Sequence, residues 1–302
     1  MKDKLPNFLI VGAAKSGTSS LHNYLNQHPE VFMPSYDKKG MKVKEPRFLI
    51  KDLVKHRLHN GVWDWEEYKS LFNNVKDEVF IGESTVLYLY FYKHAIGNIK
   101  KYLGENVKII IMLRNPTDRA YSAFQHVSRG FKEQNSFEEA LEIEEGRLDE
   151  EFSLTPMVMY REMGLYYDMV REYKVNFKDV HIVFYEDFRD DTHGEIKKVF
   201  DFLGTTIDTN IDFLSHHNVG GTRWKNEKMK HFIMKNSSLK SVLKKVSPNF
   251  FKKFVRETLI SISTDKVLPM KENTRIKLNK FFEDDVKKLS DLLNVDLTHW
   301  TK

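Results

Sequence analysis

The 302-residue chain has no cysteine. That removes any disulfide framework and any cysteine-ligated zinc or iron–sulfur centre, and it fits a reducing compartment. The opening MKDKLPNFLIVGAAKSG has only a short apolar run before a glycine-rich loop, too little for a signal-peptide core or a membrane anchor. A soluble, cytoplasmic protein is expected, without a transmembrane segment. Repeats and low-complexity tracts are missing as well. His216 and His217 are adjacent, but no HxxxH spacing or carboxylate array joins them in a metal-site pattern.

What is present belongs to a folded globular chain: 41% hydrophobic and 13% aromatic residues, with 30% charged residues spread through most of its length. The net charge of +5 is uneven. Residues 223–257 hold eleven Lys/Arg against two Glu, which leaves the rest slightly acidic. Such a stretch is most simply a solvated amphipathic face. An anionic polysaccharide or a membrane surface is a better partner for it than nucleic acid, since no recognisable motif interleaves aromatics with the basic residues.

Four apolar runs, at residues 7–11 (NFLIV), 79–82 (VFIG), 107–113 (VKIIIML) and 180–184 (VHIVF), have the length and β-branched content of buried strands. Helical spacing separates them, at 18–27, 65–72, 92–102, 116–129, 137–145, 163–173 and 193–203, and a long helix is expected at about 271–293. Strands alternating with helices predict an α/β fold, a central parallel sheet flanked by helices, with a helical basic C-terminal region. One domain over 1–302 is expected, with its core at about 7–222 and a helical extension at about 223–302. Tyr88, Trp63 and Trp65 are expected mainly in the core.

Two strand ends carry the chemistry. Between the first strand and its helix lies Gly12-Ala13-Ala14-Lys15-Ser16-Gly17-Thr18, where backbone N–H groups and a helix N-terminus make an anion site and Lys15 adds a point charge. The lysine precedes Ser16-Gly17-Thr18, whereas a Walker A loop places it after the last glycine. The 107–113 strand ends in Arg114, where a magnesium-dependent phosphotransferase wants an acid. Arg114, with Ser122 two turns into the next helix, suits a second, separate phosphate.

Together, GAAKSGTSSL and LRNPTDRAYSAF resemble the 5′-phosphosulfate loop and the 3′-phosphate motif of sulfotransferases dependent on 3′-phosphoadenosine-5′-phosphosulfate (PAPS). LNQHPEVFMP, KEPRFL, GESTVLYL and YEDFRDD resemble segments of the same family, closest to its carbohydrate, heparan sulfate-type branch, and the similarity runs from about residue 8 to 204. The resemblance implies a P-loop-type fold and PAPS as donor. Lys15, Ser16, Gly17, Thr18 and Ser19 would then meet the phosphosulfate, and Arg114 and Ser122 the 3′-phosphate. It implies Glu45 of KEPRF as general base, with Lys44 and Arg47 flanking it, and Lys15 stabilising the departing phosphate. Gly221, Thr222 and Arg223, with Trp224, lie where the family has a late loop closing over the nucleotide. Ser84 departs from relatives that have lysine there, so either Ser84 bonds the donor or another cation substitutes, Lys42 and Lys44 being candidates. Asp118 and Arg119 are left out of the site as an expected pair within their helix.

The reaction implied is metal-independent transfer of a sulfuryl group to a hydroxyl, or an amine, of a carbohydrate or other small molecule. Two further readings remain at this point: a P-loop small-molecule kinase, and a non-catalytic anion-binding protein of the same fold. The acceptor and the oligomeric state have no signature in the sequence.

Overall fold

The computed structural model describes residues 4–35, 43–129, 133–206, 211–213 and 268–302, and the backbone of 222–224 and 264–266. Five strands form one sheet: β1 (Phe8–Gly12), β2 (Val31–Phe32), β3 (Phe80–Ser84), β4 (Lys108–Leu113) and β5 (Val180–Phe184). Their order is β2-β3-β1-β4-β5 and every pairing is parallel. The fold is therefore the P-loop-type parallel sheet flanked by helices. The four predicted runs are β1, β3, β4 and β5. The two-residue edge strand β2 was too short to give a periodic signal.

Alternation along the central strands divides the core in two. Leu9 and Val11 of β1, with Ile109, Ile111 and Leu113 of β4, enter the larger cluster, while Phe8, Ile10, Ile110 and Met112 point to the smaller one. The helices are α1 (Thr18–Leu25), α2 (Lys51–Val54), α3 (Trp65–Ser70), α4 (Leu87–Tyr90), α5 (Tyr92–Tyr102) and α6 (Pro116–Arg129). They continue as α7 (Phe137–Glu142), α8 (Arg147–Glu150), α9 (Tyr166–Asn176), α10 (Tyr185–Asp190), α11 (Thr192–Leu203) and α12 (Glu272–Leu293). Helices α1 and α11 cover the smaller face. The larger face packs against α4, α5, α6, α9 and α12.

The C-terminal helix shares this main core. Leu278, Phe282, Val286 and Leu289 of α12 recur every three or four residues and are buried with the sheet's larger face, as are Leu297 and Trp300 beyond it. Gly164 admits the Phe282 ring: a Cβ there would lie 2.8 Å from Cε1 of Phe282. The basic 223–257 stretch lies almost wholly outside the described residues. Only β6 (Thr222–Trp224), antiparallel to β7 (Thr264–Lys266) and beside α6, is described there.

Two local expectations differ from the structure. Helix α9 starts at Tyr166 rather than 163, because Glu162–Gly164 closes a 3-10 turn and the Asp285 carboxylate of α12 accepts from the N–H of Tyr166 (2.7 Å) and of Tyr167 (3.2 Å). Asp118 and Arg119 do not pair, since adjacent helical residues point apart. Asp118 accepts from Arg275 at 2.7 Å, and Arg119 is fully buried with its guanidinium on the Tyr160 carbonyl. Tyr88 is buried as expected, and Trp63 and Trp65 pack against the core from partly exposed positions.

Candidate active site

Strands β1 and β4 are neighbours, with Gly12 opposite Ile111, so the loops leaving their C-terminal ends open side by side. Gly12 is required by contact, because a Cβ there would fall 2.5 Å from Cβ of Leu89 in α4. Beyond it, Lys15 (φ 73°) and Gly17 (φ 90°) are both left-handed, the backbone pattern that gathers N–H groups into an anion-binding concavity. A Cβ at Gly17 would meet the Tyr185 ring at 3.1 Å and the Met112 methyl at 3.2 Å. No side chain caps α1; the Ser20 N–H turns back to the Gly17 carbonyl at 2.9 Å, which leaves the Thr18 and Ser19 amides to face the loop.

At the β4 end, Asn115 caps α6 by accepting from the N–H of Thr117 (3.0 Å) and Asp118 (3.2 Å), and Pro116 occupies the first turn. This fixes the Arg114 backbone, whose carbonyl accepts from Tyr166 Oη at 3.0 Å. The Arg114 guanidinium lies over the Tyr185 ring, 4.6 Å from its centroid, and donates to the Lys15 carbonyl at 3.2 Å. Thus the two loops touch. Arg114 Nε and Ser16 Oγ are buried with no hydrogen-bond partner, so each loop keeps an unsatisfied donor.

A cleft of ≈ 710 Å³ runs past both loops. Lys15, Gly17, Thr18, Ser19, Arg114, Ser122 and Glu45 all line it, so eight of the predicted residues, counting the buried Ser16 behind them, come together. One face of α6 forms a wall, with Asp118, Ser122, Gln125, His126 and Arg129 on it. The other wall is the segment from Glu45 through Asn60. There Glu45 is held between two cations, Arg47 at 3.2 Å and Lys44 at 3.7 Å. Lys44 also donates to Ser19 Oγ at 2.8 Å, and Arg47 donates to Asn60 Oδ1 at 2.9 Å.

The electrostatics follow from the crowding of cations. Burial, then repulsion from Arg129, Arg114 and Lys44, lowers Lys15 to about 8, against an opposing pull from Glu45. Desolvation in the cleft, then Lys15 and Arg129, lowers His126 to about 4 and keeps its ring neutral at pH 7.

Other predictions fall differently. Ser84 does not line the cleft: it is fully buried, and its hydroxyl is 3.0 Å from His22 Nδ1. Of the two lysines considered in its place, Lys44 is at the site and Lys42 is outside the described residues. Gly221, His216 and His217 also lie outside them. Thr222 and Arg223 are described only as backbone in β6. Among the described residues no group of three or more His, Asp or Glu is placed to hold a metal ion. Sequence reasoning missed Tyr185, His126 and Arg129. The last two follow Ser122 at four and seven residues on one helical face, a spacing visible in the sequence.

Comparisons with known proteins identify the family. The model of the family described as the sulfotransferase domain matches residues 5–290. The human bifunctional heparan sulfate N-deacetylase/N-sulfotransferase 3 is 32% identical over 127 residues, 41% of this chain and 13% of that protein. The human N-deacetylase/N-sulfotransferase 2 is 33% identical over 131 residues, with the same coverages of 41% and 13%. The chain thus matches about an eighth of the length of these relatives. A sulfotransferase of known structure from Alicyclobacillus acidocaldarius superposes with a TM-score of 0.71 at 28% identity, covering 99% of this chain and 100% of that one.

Proposed function

Because the chain belongs to the sulfotransferase domain family, we propose that it transfers a sulfuryl group from PAPS to a hydroxyl or amine of a carbohydrate or other small-molecule acceptor, acting as one domain over 1–302. The observation that carries this reading is the pair of separate anion grips at adjacent strand tips, the Lys15 loop and Arg114 with Ser122, in one cleft. The fit to a donor with two distant anionic ends rests on the left-handed loop, the uncapped α1 and the unsatisfied Ser16 Oγ and Arg114 Nε. Arg114 also stands where a metal-dependent kinase would need an acid. The names of the two human relatives support a carbohydrate acceptor and extend the range to amines. The cysteine-free chain suits a reducing compartment such as the cytoplasm, and no helix among the described residues is long and apolar enough to cross a membrane.

The donor, when bound, supplies an electrophilic sulfur whose bond to the phosphate oxygen breaks as the acceptor's oxygen or nitrogen bonds to it. Glu45 takes the acceptor's proton; Arg47 and Lys44 keep its carboxylate oriented. Lys15 and the loop amides hold the charge left on the phosphate. Arg114 and Ser122 fix the far phosphate and with it the line of attack.

Calorimetric titration with 3′,5′-bisphosphoadenosine beside ADP and ATP, followed by an acceptor screen with labelled donor, tests the reading. Tighter binding of the bisphosphate is expected, with ADP preference removing the proposal. Glu45→Gln is expected to lose transfer by about 10³-fold, from the loss of general-base catalysis, while binding the bisphosphate nearly as well as the parent. A matching loss of donor affinity would refute the division of roles.

A further inference from the structure

Behind the Glu45 wall, outside the cleft, lies a carboxylate with no part in the chemistry above. Glu83 of β3 is fully buried opposite Leu9 of β1 in the middle of the sheet. Three hydroxyls donate to it: Thr85 Oγ1 to Oε1 at 2.6 Å, and Tyr68 Oη and Tyr88 Oη to Oε2 at 2.7 and 3.2 Å. A buried carboxylate so provided for is normally explained by a partner cation, and among the described residues none is bonded to this one.

The acceptors of the second tier give the reason. Thr85 Oγ1 accepts from the backbone N–H of Arg47 at 3.3 Å, and Tyr88 Oη accepts from that of Leu49, also at 3.3 Å. A hydroxyl has one proton, so an amide pointing at its oxygen obliges it to donate elsewhere, here to Glu83. Two relays therefore run from one carboxylate to two amides of the segment that holds Glu45 and Arg47. Arg47 is itself left-handed (φ 59°, ψ 11°), an unfavourable conformation for a non-glycine residue. That conformation lets its guanidinium turn back onto Glu45 and Asn60.

We propose that Glu83 is a positioning residue, whose carboxylate, acting through Thr85 and Tyr88, locks the Arg47–Leu49 backbone and so sets the Glu45–Arg47 pair at the cleft. The inference rests on the reading of Glu45 as base. Burial raises Glu83 to about 7 despite the three hydroxyls, and the charge of Glu45 adds to the rise, consistent with a carboxylate kept near the site at some cost. Tyr68 donates to the same oxygen as Tyr88 but holds no amide of that segment, which makes it the internal control.

The test compares Glu83→Gln, Thr85→Val, Tyr88→Phe and Tyr68→Phe for amide exchange at Arg47 and Leu49, bisphosphoadenosine affinity, and turnover at saturating donor. The Gln amide is isosteric but must donate toward a hydroxyl, reversing one relay. Expected in Glu83→Gln are exchange at both amides at least tenfold faster, donor affinity within about twofold, and turnover down about 10²-fold, the scale for a misplaced catalytic group. Thr85→Val should affect mainly Arg47 and Tyr88→Phe mainly Leu49, with Tyr68→Phe near parent, and these single variants decide the matter if Glu83→Gln fails to fold. Parent-like exchange and turnover in Glu83→Gln, or damage in Tyr68→Phe equal to that in Tyr88→Phe, would overturn the proposal. Parent-like turnover in Glu45→Gln would remove the base assignment alone, leaving the exchange data to judge the positioning.

Discussion

The two walls of the cleft are shaped by different means. On the donor side, the loop after β1 and the turn after β4 spring directly from adjacent central strands, and their form comes from backbone: left-handed Lys15 and Gly17, an uncapped α1, and Asn115 closing the first turn of α6. On the opposite side, the segment from Glu45 to Asn60 does not spring from a strand of the sheet. It is held by side chains from elsewhere: Thr85, Tyr88 and Asn98, the last donating to the Leu49 carbonyl at 2.8 Å. On the proposed function, the wall made of backbone would bind what every donor of its class shares, and the wall made of side chains could be rebuilt for a new acceptor without disturbing the sheet.

That contrast can be broken in order of expected effect. Lys15→Ala strikes the donor wall at its charge centre and should lower turnover by about 10³-fold, the upper end for loss of one stabilising donor at a developing anion; single-turnover rates with labelled donor check it. Arg114→Ala should weaken 3′,5′-bisphosphoadenosine by roughly 10- to 100-fold, the worth of charge-assisted hydrogen bonds, and leave ADP almost unaffected. Equal loss for both nucleotides in calorimetry would dissolve the separation into two grips.

The pH dependence comes next. Lys15 titrates from about 8, and a phosphate-bearing ligand prefers its protonated form. Bisphosphate affinity should therefore be level below about pH 8 and fall above it, by at most about tenfold per pH unit. Titrations from pH 6.5 to 9.5 should show the break in the parent and none in Lys15→Ala. The smallest effect sharpens the comparison. Lys44 touches both walls, through Ser19 and Glu45, and being partly exposed it should cost only a few-fold in turnover and in donor affinity together when changed to Ala. An effect confined to one of the two would assign Lys44 to a single wall.

The same contrast explains what could be read from sequence. The sheet and the donor wall were legible because their signals are local: unbroken apolar runs for β1 and β4, and a loop whose residues are consecutive. Asn115-Pro116 announced α6 in the same way. The opposite wall was legible at Lys44, Glu45 and Arg47, through a short motif, but not in what holds them, because Glu83 and Tyr88 act on it from 38 and 43 residues beyond Glu45. Ser84 shows the limit. In the sequence it stood beside a motif glutamate and invited a role at the donor, whereas strand alternation turned it to His22 on the other face. The capping of α9 by Asp285, 119 residues distant, had no local trace either.

The depressed proton affinity of Lys15 has a practical side. At pH 8 an amine titrating near 8 is roughly half uncharged, while an ordinary lysine is less than about one per cent so. The uncharged amine is a nucleophile. Brief exposure to an acylating or reductive-alkylating reagent near that pH should thus modify Lys15, and a bound nucleotide should shield it. The side chain proposed to clamp the anion is then also a covalent handle, a point of attachment for reporters of occupancy and for inhibitors with an amine-seeking warhead.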